Sequence, residues 1–379
     1  MQHYQCEDYS GIPRLGVYHV GDKNFYYKNS AMLEMSRTKK PTTWSFADDV
    51  FSAAARRPRS GLSLDKLYAT RAQQLRDQYD YIVLAYSGGA DSDTVLRAFV
   101  NNGIKIDEVW VDEPFEFAEK SGYVLNRSTD STNMISEWYY TTKPTLEKLR
   151  ITNPEIKIHC SDSFVDDFGD KKFENLGRLT IGMHWMGASR WTYIDQYMTK
   201  LNDRYSRVAL VLGIEKFMPA RQGQQIGFNL VDGPTWIKED YIEYFYWTPD
   251  MPELCVEQAY VVWDYLKHNI KPLIDRDRAF ILQANAWASR GLNMDNLIKK
   301  LIYSEWDFNK HQVDKTPTSM FNNHYSTLID YFHKERFHQA TISNVRNILS
   351  QYNDLVMLKV AENIVDYPKY RVFHAIENL

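Results

Sequence analysis

The chain has 379 residues, of which 44% are hydrophobic and 25% are charged, and its formal net charge is -4. This composition is typical of globular proteins and argues against a disordered, collagen-like or coiled-coil chain. The negative net charge means that the protein as a whole has no positive field that would attract nucleic acids. The longest apolar run, residues 208–214, is far shorter than the roughly 20 residues that cross a bilayer. The first residues lack the pattern of a signal peptide, so we expect a cytosolic protein. The length predicts two or three domains.

The cysteines argue against several kinds of metal and disulfide site. The chain has three of them, Cys6, Cys160 and Cys255, with no CxxC pair and no close group of histidines. Zinc sites, iron–sulfur clusters and disulfide scaffolds all need more ligands or closer spacing. We therefore expect buried or unreactive thiols.

Residues 1–75 are predicted to form an accessory segment that is largely irregular. One short hairpin is expected in it, with its turn at Gly21-Asp22. A loop with Arg56, Arg57 and Arg59 follows, which could contact a nucleic-acid backbone, although three arginines in a loop are more often solvated. Apolar residues at helical spacing then predict a helix over 63–79.

Residues 76–250 are predicted to form an α/β domain, because short apolar runs alternate with segments of helical periodicity. The run 81–86 predicts a strand buried on both faces, and 93–100 predicts the helix that follows it. The further predicted elements are a strand at 109–111, a helix around 133–150, a strand at 156–160, a helix around 191–205 and a strand at 208–212. This alternation predicts a doubly wound parallel sheet with right-handed crossovers.

The pattern changes after Gly213. Alternating residues at 226–231, followed by a turn at Asp232-Gly233-Pro234 and by Trp236-Ile237, predict a hairpin appended to the sheet. Periodic segments from Pro252 onward predict a helical C-terminal subdomain over 251–379.

The strongest chemical signal is the segment that joins the first predicted strand of this sheet to its helix. Two adjacent glycines allow positive φ angles and the close approach of a ligand to backbone amides. The helix that follows directs its unpaired N–H groups toward the same point, and two serines add hydroxyl donors. The sequence therefore predicts an anion-binding loop at the carboxyl end of a parallel strand, formed by Ser87, Gly88, Gly89, Ala90, Asp91 and Ser92.

Asp91 and Asp93 lie beside this predicted phosphate site. A carboxylate next to a phosphate is unfavourable unless a divalent cation lies near both, so the sequence predicts Mg²⁺, with Asp91 as metal ligand and catalytic residue. Alternatively, Asp91, Ser92 and Asp93 only cap a helix, which leaves the double glycine unexplained. Lys216 and Arg221, just past a predicted strand end, are candidate catalytic cations, or else solvated loop residues.

The loop is neither a Walker loop nor a GxGxxG motif. Residues 87–92 match the motif SGGxDS, and the chain over 81–240 therefore resembles the PP-loop, or N-type ATP pyrophosphatase, superfamily (adenine nucleotide α-hydrolase-like). The resemblance implies a HUP-like doubly wound sheet, ATP and Mg²⁺ as cofactors, and cleavage of ATP to AMP and pyrophosphate. It also implies an adenine site near Asp112 and a glycine turn at Gly213 that takes part in nucleotide binding.

Within that superfamily, the turn after Gly213 resembles the phosphoadenylylsulfate reductase branch, but the chain departs from it. Glu215 stands where that branch has arginine, and the Glu-Cys-Gly-x-His element with the reductase nucleophile is absent. The cysteine that follows Met1 in glutamine-dependent asparagine synthetases and the paired cysteines of tRNA thiolases are absent too. Without these branch-specific elements, the superfamily resemblance implies an ATP-dependent adenylylating ligase or transferase with an unidentified acceptor.

Two alternatives to that function stay open. One is a nucleotide-binding sensor or interaction module without catalysis. The other is an enzyme that modifies a nucleic acid or nucleobase by the same ATP chemistry, with the arginine loop and aromatic residues positioning the polymer.

Overall fold

The computed structural model describes residues 16–26, 31, 34–35, 38, 40–113, 115, 138–161, 185–214, 217–232, 240–269, 294–306 and 371–378. Its strands are β1 (Val17–Val20), β2 (Lys23–Phe25), β3 (Thr42–Ser45), β4 (Tyr81–Ala85), β5 (Glu108–Asp112), β6 (Lys157–Ser161), β7 (Val208–Leu212), β8 (Pro219–Gln222), β9 (Gln225–Val231), β10 (Ile242–Tyr244) and β11 (Arg371–Asn378). Its helices are α1 (Asp48–Ala55), α2 (Leu64–Gln78), α3 (Ala90–Val100), α4 (Lys143–Thr152), α5 (Trp185–Asn202), α6 (Glu253–Asn269) and α7 (Met294–Ile302), with a π-helical turn at Trp138–Thr142 before α4. None of these helices is both long and apolar enough to cross a membrane.

A five-stranded parallel sheet, in the order β10-β7-β4-β5-β6, forms the centre of the molecule. The interior of β4 and the whole of β7 are buried, as their apolar runs predict. From β4 the chain adds β5 and β6 on one side, and then β7 and β10 on the other, so the strand order reverses at β4. The predicted mixed α/β fold with a parallel sheet is confirmed, and the arrangement is compatible with a Rossmann-like fold.

Helix α2 precedes β4 in the chain and α3 follows it, and the two helices pack against each other. Ser63 caps α2 by accepting a hydrogen bond from the Lys66 N–H at 3.3 Å, as expected for a serine at this position. Helix α3 begins at Ala90, three residues before the predicted start. The reason is that the Asp93 N–H already donates to the Gly89 carbonyl at 2.9 Å, so the end of the predicted loop is helical.

The predicted hairpin at 226–231 belongs to a second sheet, in the order β11-β9-β8, in which all neighbours are antiparallel. The prediction that it extends the parallel sheet is wrong, because β9 uses one edge for β8 and the other for β11. The chain turns before β9, between Gln222 and Gln225. Residues 233–239, which carry the rest of the predicted turn and its second strand, lie outside the described residues.

A third sheet, in the order β2-β1-β3, contains the predicted hairpin at Gly21-Asp22. Residues 1–75 are predicted to be largely irregular, but their described part contains the strands β1, β2 and β3, the helix α1 and the start of α2. The third sheet packs toward the second one, since the Tyr18 hydroxyl donates to Asp232 at 3.0 Å. Phe51 of α1 packs against the second sheet, with its ring centroid 6.4 Å from that of Phe228 and 5.6 Å from that of His374.

The range 251–379, predicted to be helical, contains α6 and α7 but also the strand β11. Val372 and His374 share one face of this strand, His374 is buried there, and the register shifts between Ala375 and Glu377. The strand forms because β9 offers it an unpaired edge, which a local sequence pattern does not reveal.

Candidate functional site

The loop of residues 86–89 joins the carboxyl end of β4 to α3, where the strand order of the parallel sheet reverses. Open α/β sheets bind ligands at this position, because the connections on the two sides of the reversal diverge. The Tyr86 N–H donates to the Trp110 carbonyl at 2.9 Å and so ties the start of the loop to β5. Gly213 follows β7, the neighbour of β4 on the other side.

Two serines hold the loop in shape. Ser92 Oγ accepts from the Ser87 N–H at 3.2 Å and donates to the Gly89 carbonyl at 3.1 Å. Ser87 Oγ accepts from the Gly89 N–H at 3.2 Å. Gly88 has a φ of +82°, whereas Gly89 has an ordinary φ of -71°, so only the first glycine needs the left-handed region.

The N-terminus of α3 has no side-chain cap. Gly89 is the N-cap residue, and it has no side chain that could accept a hydrogen bond from the first-turn amides. The first amides of a helix lack intrahelical partners and carry the positive end of the helix dipole. The loop and the helix start together form a surface suited to an anion.

Two threonines of the π-helical turn close over Gly88. Thr142 Oγ1 donates to the Ser87 carbonyl at 3.0 Å, and both Thr141 and Thr142 are buried. A Cβ atom on Gly88 would lie 2.6 Å from Thr141 Oγ1 and closer still to Thr142 Oγ1. Sequence reasoning missed both threonines, because a π-helical turn, which often marks a functional site, has no local sequence signal.

The two aspartates beside the loop have different surroundings. Asp93 is 4% exposed, lies 2.9 Å from Arg97 in an ion pair, and accepts from the Tyr86 hydroxyl at 3.2 Å. Asp91 is half-buried; its Oδ1 accepts from the Tyr303 hydroxyl and its carbonyl accepts from the Tyr246 hydroxyl at 2.7 Å. Asp93 is thus a structural carboxylate, and Asp91 is the better placed of the two to meet a cation.

Tyr246 and Tyr303 reach Asp91 from distant parts of the chain, 155 and 212 residues away. Burial raises the pKa of both hydroxyls well above the usual value, and the nearby charge of Asp91 raises the pKa further. Both tyrosines are therefore protonated hydrogen-bond donors. Sequence reasoning missed them, because only the tertiary fold brings them to the loop.

The described residues contain no group of three or more His, Cys, Asp or Glu side chains that could hold a metal ion. Mg²⁺ does not need such a group, because it keeps several waters and binds one or two carboxylates together with substrate phosphates. A single half-buried carboxylate, Asp91, next to a loop whose geometry suits an anion, fits a cation that arrives with a nucleotide.

The other predicted site residues lie in different places. Asp112 ends β5 beside Ser161 of β6, at the same edge of the sheet as the loop. A Cβ atom on Gly213 would lie 3.1 Å from the Asp91 carbonyl carbon, so β7 and the start of α3 meet at this glycine. Arg221 lies in β8 of the second sheet, where its Nε donates to the Gly223 carbonyl at 2.7 Å. Lys216 lies outside the described residues.

Two arginines of the arginine loop at residues 56–59 pair with α6. Arg59 lies 2.5 Å from Glu257 and 2.7 Å from Asp264, and Arg57 lies 3.5 Å from Glu253. Arg59 is thus paired within the protein, whereas the side chain of Arg57 is still 67% exposed, and the nucleic-acid contact stays a prediction.

A cavity of about 320 Å³ runs along α3, between the start of α2 and residues 303–306. Ala90 borders it, but residues 86–89 do not. Most of its charged lining has partners within the protein: Arg97 pairs with Asp93 and Glu305, and Ser304 Oγ donates to Asp65 at 2.8 Å. The cavity therefore lies beside the loop rather than over it.

Comparison of the chain with protein-family models, with curated proteins and with solved structures gives no match. A functional assignment therefore depends on the SGGxDS motif and on the geometry of the loop.

Proposed function

We propose that the protein binds ATP at residues 87–92 and cleaves it between the α- and β-phosphates to activate an acceptor, with Asp91 holding Mg²⁺. One observation carries this proposal: a left-handed glycine, Gly88, leads into a helix without a side-chain cap at the reversal point of a parallel sheet. The SGGxDS motif in the same residues supports membership of the PP-loop superfamily and its HUP-like fold.

The loop is suited to the β- and γ-phosphates. Backbone amides at a glycine-rich turn and at a helix start bind anions without a cationic side chain, and the hydroxyl of the exposed Ser87 can add a donor. The adenine and ribose would extend along the carboxyl edge of the sheet toward Asp112. Gly213 contributes by allowing β7 to approach the first turn of α3 closely.

The proposed reaction has two steps. An acceptor oxygen attacks the α-phosphorus, the bond from that phosphorus to the bridging oxygen breaks, and pyrophosphate leaves on the loop. An amine, ammonia or sulfur nucleophile then displaces AMP from the adenylylated acceptor. Mg²⁺, when bound, neutralises charge on the leaving pyrophosphate, and the role of Asp91 is to hold it there. Catalytic roles for Lys216 and Arg221 stay predictions.

Replacement of Asp91 by asparagine tests this function. Asparagine keeps the size of the side chain and an oxygen that can accept the Tyr303 hydrogen bond, so the change isolates the charge. We expect ATP still to bind, while pyrophosphate release in the presence of a cell extract as acceptor source falls by orders of magnitude. ATP affinity is measured by calorimetry, and pyrophosphate release by a coupled assay over a Mg²⁺ titration.

Asp93→Asn is the matched control, since Asp93 lies two residues away and is buried in an ion pair. It should lower stability and leave the Mg²⁺ dependence of the remaining activity unchanged. Absence of ATP binding by the unsubstituted protein would refute the proposed function. ATP binding without pyrophosphate release from any acceptor fraction would favour the nucleotide-sensor alternative.

A further inference from the structure

Tyr303 directly follows α7, and its hydroxyl donates to Oδ1 of Asp91. The Tyr246 hydroxyl donates to the carbonyl of the same residue at 2.7 Å. Asp91 is therefore held at two points, one on the backbone and one on the carboxylate. Neither donor belongs to the loop or to α3, so both hydrogen bonds come from outside the predicted nucleotide-binding segment.

The ring of Tyr303 has little freedom to move. It is 2% exposed and contacts the rings of Tyr246 and Tyr68, with centroids 5.7 and 6.4 Å away. The Tyr68 hydroxyl donates to the Ile302 carbonyl at 2.7 Å and accepts from the buried Gln258 at 3.0 Å, which fixes the backbone just before Tyr303. A side chain held this firmly can orient its partner, because its own position is set by packing.

The residues after Tyr303 fix the same segment to two helices. Ser304 Oγ donates to Asp65 of α2 at 2.8 Å, and Glu305 pairs with Arg97 of α3. Three consecutive residues thus contact α3, α2 and α3 again. The position of the Tyr303 hydroxyl is therefore set by the body of the protein.

We propose that Tyr303 is a positioning residue, which fixes one oxygen of Asp91 so that the other oxygen is available to the divalent cation of a bound nucleotide. The inference rests on the proposed function. Among the described residues, Asp91 Oδ2 has no hydrogen bond, and the side chain is half-buried rather than sealed. Hydrogen-bond partners that orient a metal-ligating carboxylate commonly alter metal affinity 10- to 100-fold when they are removed.

Tyr303→Phe removes the hydroxyl and keeps the packed ring. We expect the Mg²⁺ concentration at half-maximal nucleotide binding to rise by about tenfold, and the affinity for ATP without metal to stay the same. The probes are ATP with EDTA and ATP with a Mg²⁺ titration, both measured by calorimetry. A role that is only structural would lower stability without separating these two quantities.

Tyr241→Phe is the matched control, because the Tyr241 hydroxyl donates to an aspartate, Asp195, at 2.8 Å away from the loop. It should leave both quantities unchanged. The double variant Asp91→Asn/Tyr303→Phe should have the same Mg²⁺ midpoint as Asp91→Asn alone, since Tyr303 acts through that carboxylate.

The outcomes distinguish the two proposals. An unchanged Mg²⁺ midpoint in a folded Tyr303→Phe protein would overturn the positioning role and leave the proposed function standing. No ATP binding by the unsubstituted protein would overturn the proposed function and the positioning role with it. If the two midpoint shifts add in the double variant Asp91→Asn/Tyr303→Phe, the positioning role is also overturned, because Tyr303 would then affect Mg²⁺ binding independently of the Asp91 carboxylate.

Discussion

Gly88 combines two constraints, a left-handed backbone conformation and close contact with neighbouring side chains. Its φ is +82°, and a side chain on it would collide with Thr141 and Thr142. Gly103, at the far end of α3, has a similar φ of +63° but open space around it. The two glycines therefore allow backbone strain to be measured apart from steric contact.

We expect Gly88→Ala to lose at least tenfold in ATP affinity, because the substitution forces the threonines and the loop proposed to bind phosphate apart. Gly103→Ala should cost about 1–2 kcal/mol of stability for the left-handed conformation and leave ATP affinity unchanged. Calorimetry and urea unfolding of both variants provide the comparison. Equal ATP affinities in Gly88→Ala and the unsubstituted protein would contradict the assignment of this loop.

The sequence predicts the loop well and its surroundings poorly. Adjacent glycines, two serines and two aspartates lie within seven residues, so their chemistry is visible in a local motif. The pairing of Asp93 with Arg97 could also have been predicted, since residues four apart share a helix face. The contact of Tyr303 with Asp91 could not, because nothing local specifies a partner 212 residues away.

At the scale of elements, Gly213 sets how closely β7 meets α3. A Cβ atom there would lie 3.1 Å from both the Asp91 carbonyl carbon and the Ser92 nitrogen, so the helix start must shift by a few tenths of an ångström. We expect Gly213→Ala to weaken ATP binding severalfold while the protein stays folded, because the shifted atoms belong to the amides that we propose to bind the phosphates. Calorimetric ATP affinity tests this, and an affinity equal to that of the unsubstituted protein would contradict it.

Glu108 joins three elements at the opposite end of β5. Its side chain is 0% exposed and accepts hydrogen bonds from the Tyr81 hydroxyl of β4 at 2.8 Å and from the Tyr197 hydroxyl of α5 at 2.6 Å. Lys157 Nζ and His159 Nδ1 of β6 lie 3.0 and 2.9 Å from its oxygens. Burial alone would raise the pKa of Glu108, but these hydrogen bonds together lower it to about 2.

A carboxylate whose pKa is lowered by folding stabilises the protein above its unfolded pKa. For Glu108 this contribution is complete above pH 4.5 and is lost as the pH falls toward about 2. We expect Glu108→Gln to lose on the order of 3 kcal/mol at pH 7, and the difference from the unsubstituted protein to shrink as the pH falls through this range. Urea unfolding at several pH values measures it, and a difference that stays constant down to pH 2 would contradict the assignment.

Strands with continuous apolar runs could be predicted from the sequence, because β4 and β7 are buried whatever their neighbours are. The placement of β9 could not. Its alternation predicts a strand with one buried face, but not which strands occupy its two edges. The partner β11 lies in a range where helical periodicity dominates the sequence.

At the scale of the whole molecule, the first and last described segments belong to one packed unit. Ser52 of α1 lies 3.2 Å from the ring nitrogen of His374, 322 residues later in the chain. The Trp263 indole of α6 donates to the Gly227 carbonyl at 2.7 Å and so joins this unit to the C-terminal helices. Residues predicted to be an accessory segment and a separate helical region thus share a core around β9 and β11.

Gly227 of β9 leaves no space for a side chain where β9 pairs with β11. A Cβ atom there would overlap the His374 carbonyl oxygen and lie 2.8 Å from its carbonyl carbon, so β11 must move. We expect Gly227→Ala to destabilise the protein by about 1–3 kcal/mol and to expose residues 371–378 to hydrogen exchange. Gly223→Ala, with φ +57° and open space, should leave that exchange unchanged. Full protection of 371–378 in Gly227→Ala would refute the close pairing.

The pairing of β9 with β11 also has a consequence for synthesis on the ribosome. The nascent chain exposes β9 while β11 is still untranslated, and one edge of β9 then offers free amides and carbonyls to any other extended chain. At ordinary elongation speeds this interval lasts on the order of ten seconds, long compared with collapse of the parallel sheet. Polysomes, which hold several such chains close together, are therefore where this fold is most open to misassembly, and where a chaperone would protect it most.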